Sequence, residues 1–228
     1  MINVLSQNLY NLLAAGEVVE NPSAVVKELV ENSIDAGATK IEIDILRGGI
    51  DMIRVSDNGI GVPAGEIDKV FLPHATSKIS SERDLENIST LGFRGEAMPS
   101  IAAVSQVEFI TKSNGDSAVA LRIDGGKVVN KKPIAFNRGT KVTVSNLFYN
   151  TPARAKFLRS QNAEKNAVTS VVEHLILANP KLNVRYSVDN EIVYDYHKTT
   201  LLEAIGAVYG EDTADNMLKV FKKSSAEP

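Results

Sequence analysis

The stretch KIEIDILRGGIDMIRVSD, residues 40–57, restricts the fold more than any other part of the chain. Ile41, Ile43 and Ile45 alternate with polar neighbours, and after Gly48-Gly49 the residues Ile53 and Val55 resume the alternation. A period of two places one apolar face on each run, and a glycine turn between two runs predicts an antiparallel hairpin with one side to bury. The cover is written just upstream. Asn21-Pro22 followed by SAVVKELVENSIDAG reads as an N-cap, a first-turn proline and a helix stopped at Gly37. A helix beside a half-apolar hairpin predicts two layers, helix on sheet.

The rest of the chain extends this plan. DNGIGVP punctuates as a loop, residues 66–72 as a short helix, and residues 73–95 as a long polar segment of the kind that usually has a function. Helix resumes through EAMPSIAAVS, where Pro99 fits only in the first turn. VEFITKS, AVALRID, KVVNKKPI and GTKVTVSNLF read as strands with Asn-Gly and Gly-Gly turns between them. A long helix is expected over about 152–178, then a hairpin NVRYSV/IVYDY around Asp189-Asn190, a helix in TLLEAIGAVYG and a polar, disordered tail. The expected fold class is α+β, a two-layer α/β sandwich with helices on one face of a mainly antiparallel mixed sheet. Residues 1–198 are expected to form one domain and 199–228 the start of a second.

Composition removes several kinds of chemistry. The 228 residues include no cysteine, so disulfides, thiolate zinc sites and a cysteine nucleophile are excluded. His74, His174 and His197 lie far apart, without metal-ligand spacing. A net charge of −3 does not mark the whole surface for a polyanion, although a local basic patch remains open. No segment approaches the ~18 apolar residues of a membrane helix, and no basic-then-apolar leader begins the chain, so no membrane association and a cytoplasmic location are expected.

In the first helix, Glu28, Asn32 and Asp35 fall within about 60° of one another at 100° per residue, while Val26, Leu29, Val30, Ser33 and Ile34 turn to the sheet. From spacing alone the polar stripe reads as a solvated face or as a reaction centre. A hard cation would take the amide oxygen of Asn32, and Glu28 one turn away would accept a proton from an attacking water, provided a nucleotide lies nearby.

Three loops bear on that condition. DNGIG is ordinary turn chemistry, or a carboxylate, Asp57, that accepts from the exocyclic amine of adenine while Gly59 and Gly61 admit the ligand. LGFRGEA sets glycines before a helix start, where backbone N–H groups favour phosphate. HATSKI is a surface loop, or a lid of hydroxyls and Lys78 over phosphates. Neither GxxxxGK[ST] nor GxGxxG after the first strand occurs. Residues 151–165, with Arg154, Lys156, Arg159 and Lys165 against Glu164, read as a solvated helix face or as a non-specific, salt-sensitive DNA contact.

Taken in order, Glu28-x-x-x-Asn32, Asp57-x-Gly59-x-Gly61, Gly92-Phe-Arg-Gly-Glu96 and Gly139-Thr140 resemble the four motifs of the GHKL ATPase superfamily. AAGEVVENPSAVVKELVENSIDAGAT, HATSKI, LGFRGEA and FYNTPAR further resemble the MutL family of mismatch-repair proteins over about residues 4–160. The resemblance implies a sandwich of the GHKL (Bergerat) type with a left-handed crossover, holding ATP and Mg2+ between helices and sheet. It implies Glu28 as general base, Asn32 as magnesium ligand and Asp57 as adenine reader backed by Thr140. Thr76, Ser77 and Lys78 would belong to the lid, and Gly92, Phe93, Arg94, Gly95, Glu96 and Ala97 would surround the phosphates. Asp35 is left with a supporting or capping role.

The resemblance also implies a slow ATPase acting as a switch. ATP would order residues 71–95 and the N-terminal segment, and complete a homodimer surface. A MutS-type mismatch-recognition protein and non-specific DNA are the implied partners, in a bacterial cytoplasm with nucleoid association during repair. Alternatives are a gyrase-type, chaperone or kinase relative, or a DNA-binding fragment with an inactive pocket; a phosphoacceptor histidine region or long coiled coil would favour the kinase, and neither is present.

Three departures from the family pattern stand out. Ala155 follows TPAR where a second basic residue is common, and Met98-Pro99 replaces Leu-Ala after GEA. The chain also ends about thirty residues into the region of a second domain that would supply a lysine to the terminal phosphate. Weak hydrolysis and no endonuclease activity are therefore expected.

Overall fold

In the computed structural model the 40–57 hairpin lies inside an eight-stranded sheet rather than at its margin. The structure describes residues 18–78, 90–92, 94–218 and 220. Strand β1 (Lys40–Leu46) pairs antiparallel with β2 (Met52–Asp57), and the turn between them is a 3-10 segment, Arg47–Gly49. Ile41, Ile43, Ile45, Ile53 and Val55 are all buried, so the alternation has its expected meaning. Strands β3 (Gln106–Lys112), β4 (Val119–Asp124), β5 (Lys127–Pro133) and β6 (Gly139–Ser145) follow, then β7 (Asn183–Val188) and β8 (Glu191–Tyr196). The order across the sheet is β5-β4-β3-β6-β2-β1-β7-β8. The β1–β7 pair is parallel and the other six are antiparallel.

Helix α1 (Pro22–Asp35) packs its buried residues Val25, Val26, Leu29 and Val30 toward the β1–β2 region. Its start is fixed as the sequence predicts: the Asn21 side chain accepts from the Ala24 N–H at 3.0 Å, and Pro22 occupies the first turn. Helix α2 (Ala97–Ala103) is short, and Pro99 falls in its first turn. These helices and the inner face of the sheet share one core. The edge strand β5 is exposed along its whole length and carries Lys127, Lys131 and Lys132, charges that discourage edge-to-edge pairing.

The single helix expected over 152–178 is instead two. A short α3 (Pro152–Ala155) gives way to a non-helical passage, and α4 (Gln161–Ala178) begins afresh. Ser160 caps α4 by accepting from the Ala163 N–H at 3.3 Å, and buried Glu164 accepts from the Arg159 N–H at 2.9 Å, so the break is held by hydrogen bonds. Asp189 and Asn190 both have positive φ, as a tight β7–β8 turn requires. Helix α5 (Leu201–Tyr209) has a complete capping box between Thr200 and Glu203, and buries Ala204 against the same core. A further short helix, α6 (Glu211–Asp215), follows where none was expected. The expectations for the N-terminal segment, residues 79–89, Phe93 and the last eight residues lie outside the described residues.

Candidate functional site

The site is arranged around α1, which meets a different set of partners on each side. On the sheet side, Ser33 is buried, and its Oγ lies 2.9 Å from Asp57 Oδ2 and 3.1 Å from the Leu29 carbonyl. Asp57 ends β2. Its Oδ1 accepts from the Gly59 N–H at 2.8 Å and from the Thr140 N–H at 3.3 Å. The pairing that brings Thr140 there is sheet register, since Asp57 stands opposite Thr140 where β2 meets β6. Burial pushes the Asp57 carboxyl above its ordinary value, against the lowering pull of the Gly59, Ser33 and Thr140 hydrogen bonds.

Behind Asp57 the chain closes without side chains. Gly61 has φ +71°, and a Cβ there would stand 2.1 Å from the Lys112 carbonyl oxygen. Gly139 has φ +126°, with the Asp57 carbonyl oxygen 2.0 Å from where its Cβ would be. Only glycine fits such contacts at positive φ. Thr111, which the sequence reading did not single out, joins these turns. Its hydroxyl accepts from the Val62 N–H at 2.8 Å, reaches the Gly139 carbonyl at 3.1 Å and lies 3.2 Å from the Thr140 hydroxyl. Asn58 pins the loop base by accepting from the N–H groups of Thr39 and Lys40 at 2.8 and 2.9 Å. The predicted adenine residues Asp57, Gly59, Gly61 and Thr140 therefore form one place, and Ser33 and Thr111 complete it.

On the opposite side, Glu28, Asn32 and Asp35 form the predicted stripe. Burial raises the Glu28 carboxyl above its ordinary value; nearby Lys27 opposes that rise, Glu31 adds to it, and Lys78 and Arg94 lower it. A carboxyl raised above its ordinary value is a better proton acceptor than a free one. The Lys78 ammonium lies 2.9 Å from Asn32 Oδ1 and 2.5 Å from Asp35 Oδ2. Its backbone N–H donates to the Thr76 hydroxyl at 3.1 Å. Asp35 also accepts from the Leu91 N–H at 3.0 Å and the Gly92 N–H at 3.2 Å. Burial alone would raise its carboxyl; the bonds from Lys78, Leu91 and Gly92 bring it below the ordinary value.

The loop before α2 is thus tied at one end, and the Gly92 amide expected to face phosphate is given to Asp35. At the other end Glu96 turns away from the helix it precedes. Its Oε1 accepts from the His74 backbone N–H at 3.1 Å and lies 2.6 Å from His74 Nδ1. The Glu96 side chain makes no capping bond to α2, so among the described residues the helix start has no side-chain cap from its N-cap residue. Gly95 (φ +65°) abuts the Ala75 backbone, which brings the HATSKI segment and the LGFRGEA loop together. Arg94 and Ala97 lie in the same passage, and Ser77 neighbours the lysine. Phe93 is outside the described residues.

The donor set can accommodate magnesium. Asn32 Oδ1 already accepts from a cation, the Lys78 ammonium. Among the described residues no cluster of three or more His, Cys, Asp or Glu side chains could hold a metal by itself.

The basic residues of 151–165 are not gathered on one helix. Arg154 lies on α3, with its guanidinium 5.7 Å from the Phe148 ring centroid and its Nη1 buried without a partner. Lys156 follows α3 and is exposed. Arg159 is in the break, its guanidinium bonded to Glu164 through Nε at 3.1 Å and Nη2 at 3.2 Å. Because the predicted helix is broken, these residues offer separate cations rather than a stripe.

Residues 20–147 match the family described as histidine kinase-, DNA gyrase B-, and HSP90-like ATPase. The chain is 45% identical over 219 residues to the DNA mismatch repair protein MutL of Clostridium beijerinckii, which covers 95% of this chain and 33% of that protein. It is 45% identical over 224 residues to the protein of the same name from Shouchella clausii, covering 96% of this chain and 34% of the relative. The chain thus spans about one third of the length of the curated relatives it matches. Among solved structures, the Aquifex aeolicus MutL ATPase domain complexed with ADP superposes with a TM-score of 0.67 at 29% identity, covering 84% of this chain and 70% of that one. The N-terminal domain of a DNA repair protein gives 0.74 at 28% identity, covering 88% and 60%.

Proposed function

The chain belongs to the histidine kinase-, DNA gyrase B- and HSP90-like ATPase family, and from that premise we propose that it binds Mg-ATP and hydrolyses it slowly, as the ATPase region of a MutL-type mismatch-repair protein. The observation that carries this reading is the double use of α1. One face holds Asp57 through Ser33, while the other presents Glu28 and Asn32 beside Lys78 and Arg94. A base reader and a phosphate-side acid are thereby fixed to one rigid element.

In this reading Asp57 accepts from the exocyclic amine of adenine and rejects guanine, whose carbonyl would set two acceptors face to face. Gly59 and Thr140 hold Asp57, and Gly59 and Gly61 let the base approach. The first turn of α2, with Arg94, Gly95, Glu96 and Ala97 leading into it, lies along the phosphates. Thr76, Ser77 and Lys78 approach them from the other side. Asn32 Oδ1 would hold magnesium, which would neutralise phosphate charge. Glu28 takes the proton of the water that attacks the terminal phosphorus, and the electrons of the broken phosphorus–oxygen bond leave with ADP. Lys78 is held by Asn32 and Asp35, so it must leave Asn32 Oδ1 when magnesium and phosphate take their places.

The output proposed is a conformational switch. The terminal phosphate orders the chain around the site and completes a homodimer surface, coupling a MutS-type protein to later repair steps. Non-specific DNA contact is proposed through Arg154, Lys156 and Arg159, the last of which is paired with Glu164. Residues 199 onward are proposed as the start of a second structural unit, supported by the exposed Leu201, Leu202 and Tyr209 of α5. The cytoplasm, with nucleoid association during repair, is the proposed location.

The test is a titration with a fluorescent ADP and a non-hydrolysable ATP analogue, with and without magnesium, against GTP as competitor. Saturable, magnesium-dependent binding that ATP displaces and GTP does not is the expected result. Absence of binding, or equal displacement by GTP, would sink the reading.

A further inference from the structure

Asp35 is the last residue of α1, a place where local energetics argue against a carboxylate. The C-terminal end of a helix carries partial negative charge, and aspartate is a poor helix former. No basic residue occupies the last turn of α1 to offset it. Yet the Asp35 side chain is only 8% exposed and has three donors converging on its two oxygens. The Lys78 ammonium and the Gly92 N–H share Oδ2, while the Leu91 N–H takes Oδ1. These donors come from two segments, 43 residues and 56–57 residues along the chain from Asp35. The same ammonium bridges to Asn32 Oδ1, one turn back on α1.

We propose that Asp35 is a positioning residue for nucleotide binding: it fixes Lys78 and the Leu91–Gly92 backbone against α1, and so sets the distance between the loop leading into α2 and the stripe of Glu28 and Asn32. The proposal rests on the nucleotide-binding reading above. The Leu91 and Gly92 amides are used to hold the loop against α1. A carboxylate is the side chain that satisfies this arrangement. Asparagine offers one acceptor oxygen where two are used and would turn an N–H toward one of the donors; alanine offers none. A helix cap alone would need neither Lys78 nor two amides from a separate loop.

The experiment compares Asp35→Asn and Asp35→Ala with the unchanged chain, and with Thr200→Ala as a control. Thr200→Ala removes the α5 capping box and destabilises the fold away from the site. Two quantities are read: the affinity for fluorescent ADP with magnesium, and amide exchange at Leu91 and Gly92 without nucleotide. Asp35→Ala should weaken ADP binding about tenfold, the scale of a lost charge-assisted hydrogen bond, and speed exchange at both amides. Asp35→Asn should fall between it and the unchanged chain, and Thr200→Ala should keep full affinity. Unaltered exchange at Leu91 and Gly92 in Asp35→Ala overturns the proposal. So does an affinity loss no greater than that of Thr200→Ala, which would leave Asp35 a purely structural role. If the unchanged chain binds no nucleotide, the functional reading fails instead, and the exchange arm still decides whether Asp35 holds the loop.

Discussion

The two sides of α1 are built from different materials. Toward the sheet, Asp57 is held by backbone N–H groups of Gly59 and Thr140 and by a buried hydroxyl, with glycines pressed against neighbouring carbonyls. Toward the outer loop, Asp35 and Asn32 are held by one long lysine and by the ends of a polar segment. Backbone register cannot change without breaking the sheet, whereas a lysine can exchange partners by rotating its own bonds. The proposed base-reading side is therefore preset, and the proposed phosphate side is one that ligand and metal can rearrange. In the proposed function, selectivity and switching would fall to separate faces of a single helix.

Three substitutions break or sharpen that division. The largest effect is expected for Glu28→Ala, which should lower the hydrolysis rate at least about a hundredfold, the scale of a lost general base. ADP affinity should stay nearly unchanged; loss of both would show Glu28 to be part of the binding frame. In the unchanged chain, the raised Glu28 carboxyl should move the acid limb of the rate profile upward from the ordinary glutamate value. As pH falls through that raised value the base is protonated and turnover fades, which a pH–rate series will read.

Asp57→Asn should act on the preset side, weakening ATP binding about tenfold or more because an amide N–H replaces an acceptor. The fold should tolerate it: the new amide can donate to Ser33, whose hydroxyl then turns to the Leu29 carbonyl. The Asp57 carboxyl is raised in the folded state. Its contribution to stability is therefore present below its unfolded value and is lost as pH rises through its folded value. Melting of Asp57→Asn should be at least as high as that of the unchanged chain at neutral pH, with the gap closing toward acid. A large fall in melting temperature at neutral pH would contradict a buried charge held there at a cost.

Ser33→Ala should be the mildest. It removes one hydrogen bond, costs about 1 kcal/mol of stability, and pushes the Asp57 carboxyl further up. Urea unfolding and an ATP titration measure the two effects. An affinity loss as large as that of Asp57→Asn would mean the hydroxyl itself touches the nucleotide.

The sheet was legible because period-two alternation at Ile41, Ile43, Ile45, Ile53 and Val55 has only one burial solution. The polar stripe was legible because helix geometry is local. The break at 156–160 was not, since ARAKFLRSQNAEK contains no glycine or proline and reads as continuous helix. Its signals were Ser160 as a cap and the fresh i, i+4 series Val168, Val172, Ile176, all buried in α4. Ser33 was placed toward the sheet, but its bond to Asp57 spans 24 residues, and no local pattern announces it. The Lys78 and Gly92 contacts of Asp35 span 43 and 57 residues and depend on how a loop returns to the helix. Motif order indicated which residues belong near a nucleotide, and tertiary structure decided which of them are already bonded to one another.

The parallel pairing of β1 with β7 has a temporal consequence. Lys40 of β1 lies opposite Asn183 of β7, so every segment placed at the site, from Glu28 to Thr140, leaves the ribosome before the strand that closes that edge. Until then β1 presents unpaired N–H and C=O groups along an apolar strand, a template for association with other chains. Closing so distant a pair is slow compared with forming hairpins. A nascent chain carrying every segment of the proposed site therefore keeps an open, aggregation-prone edge until β7 emerges.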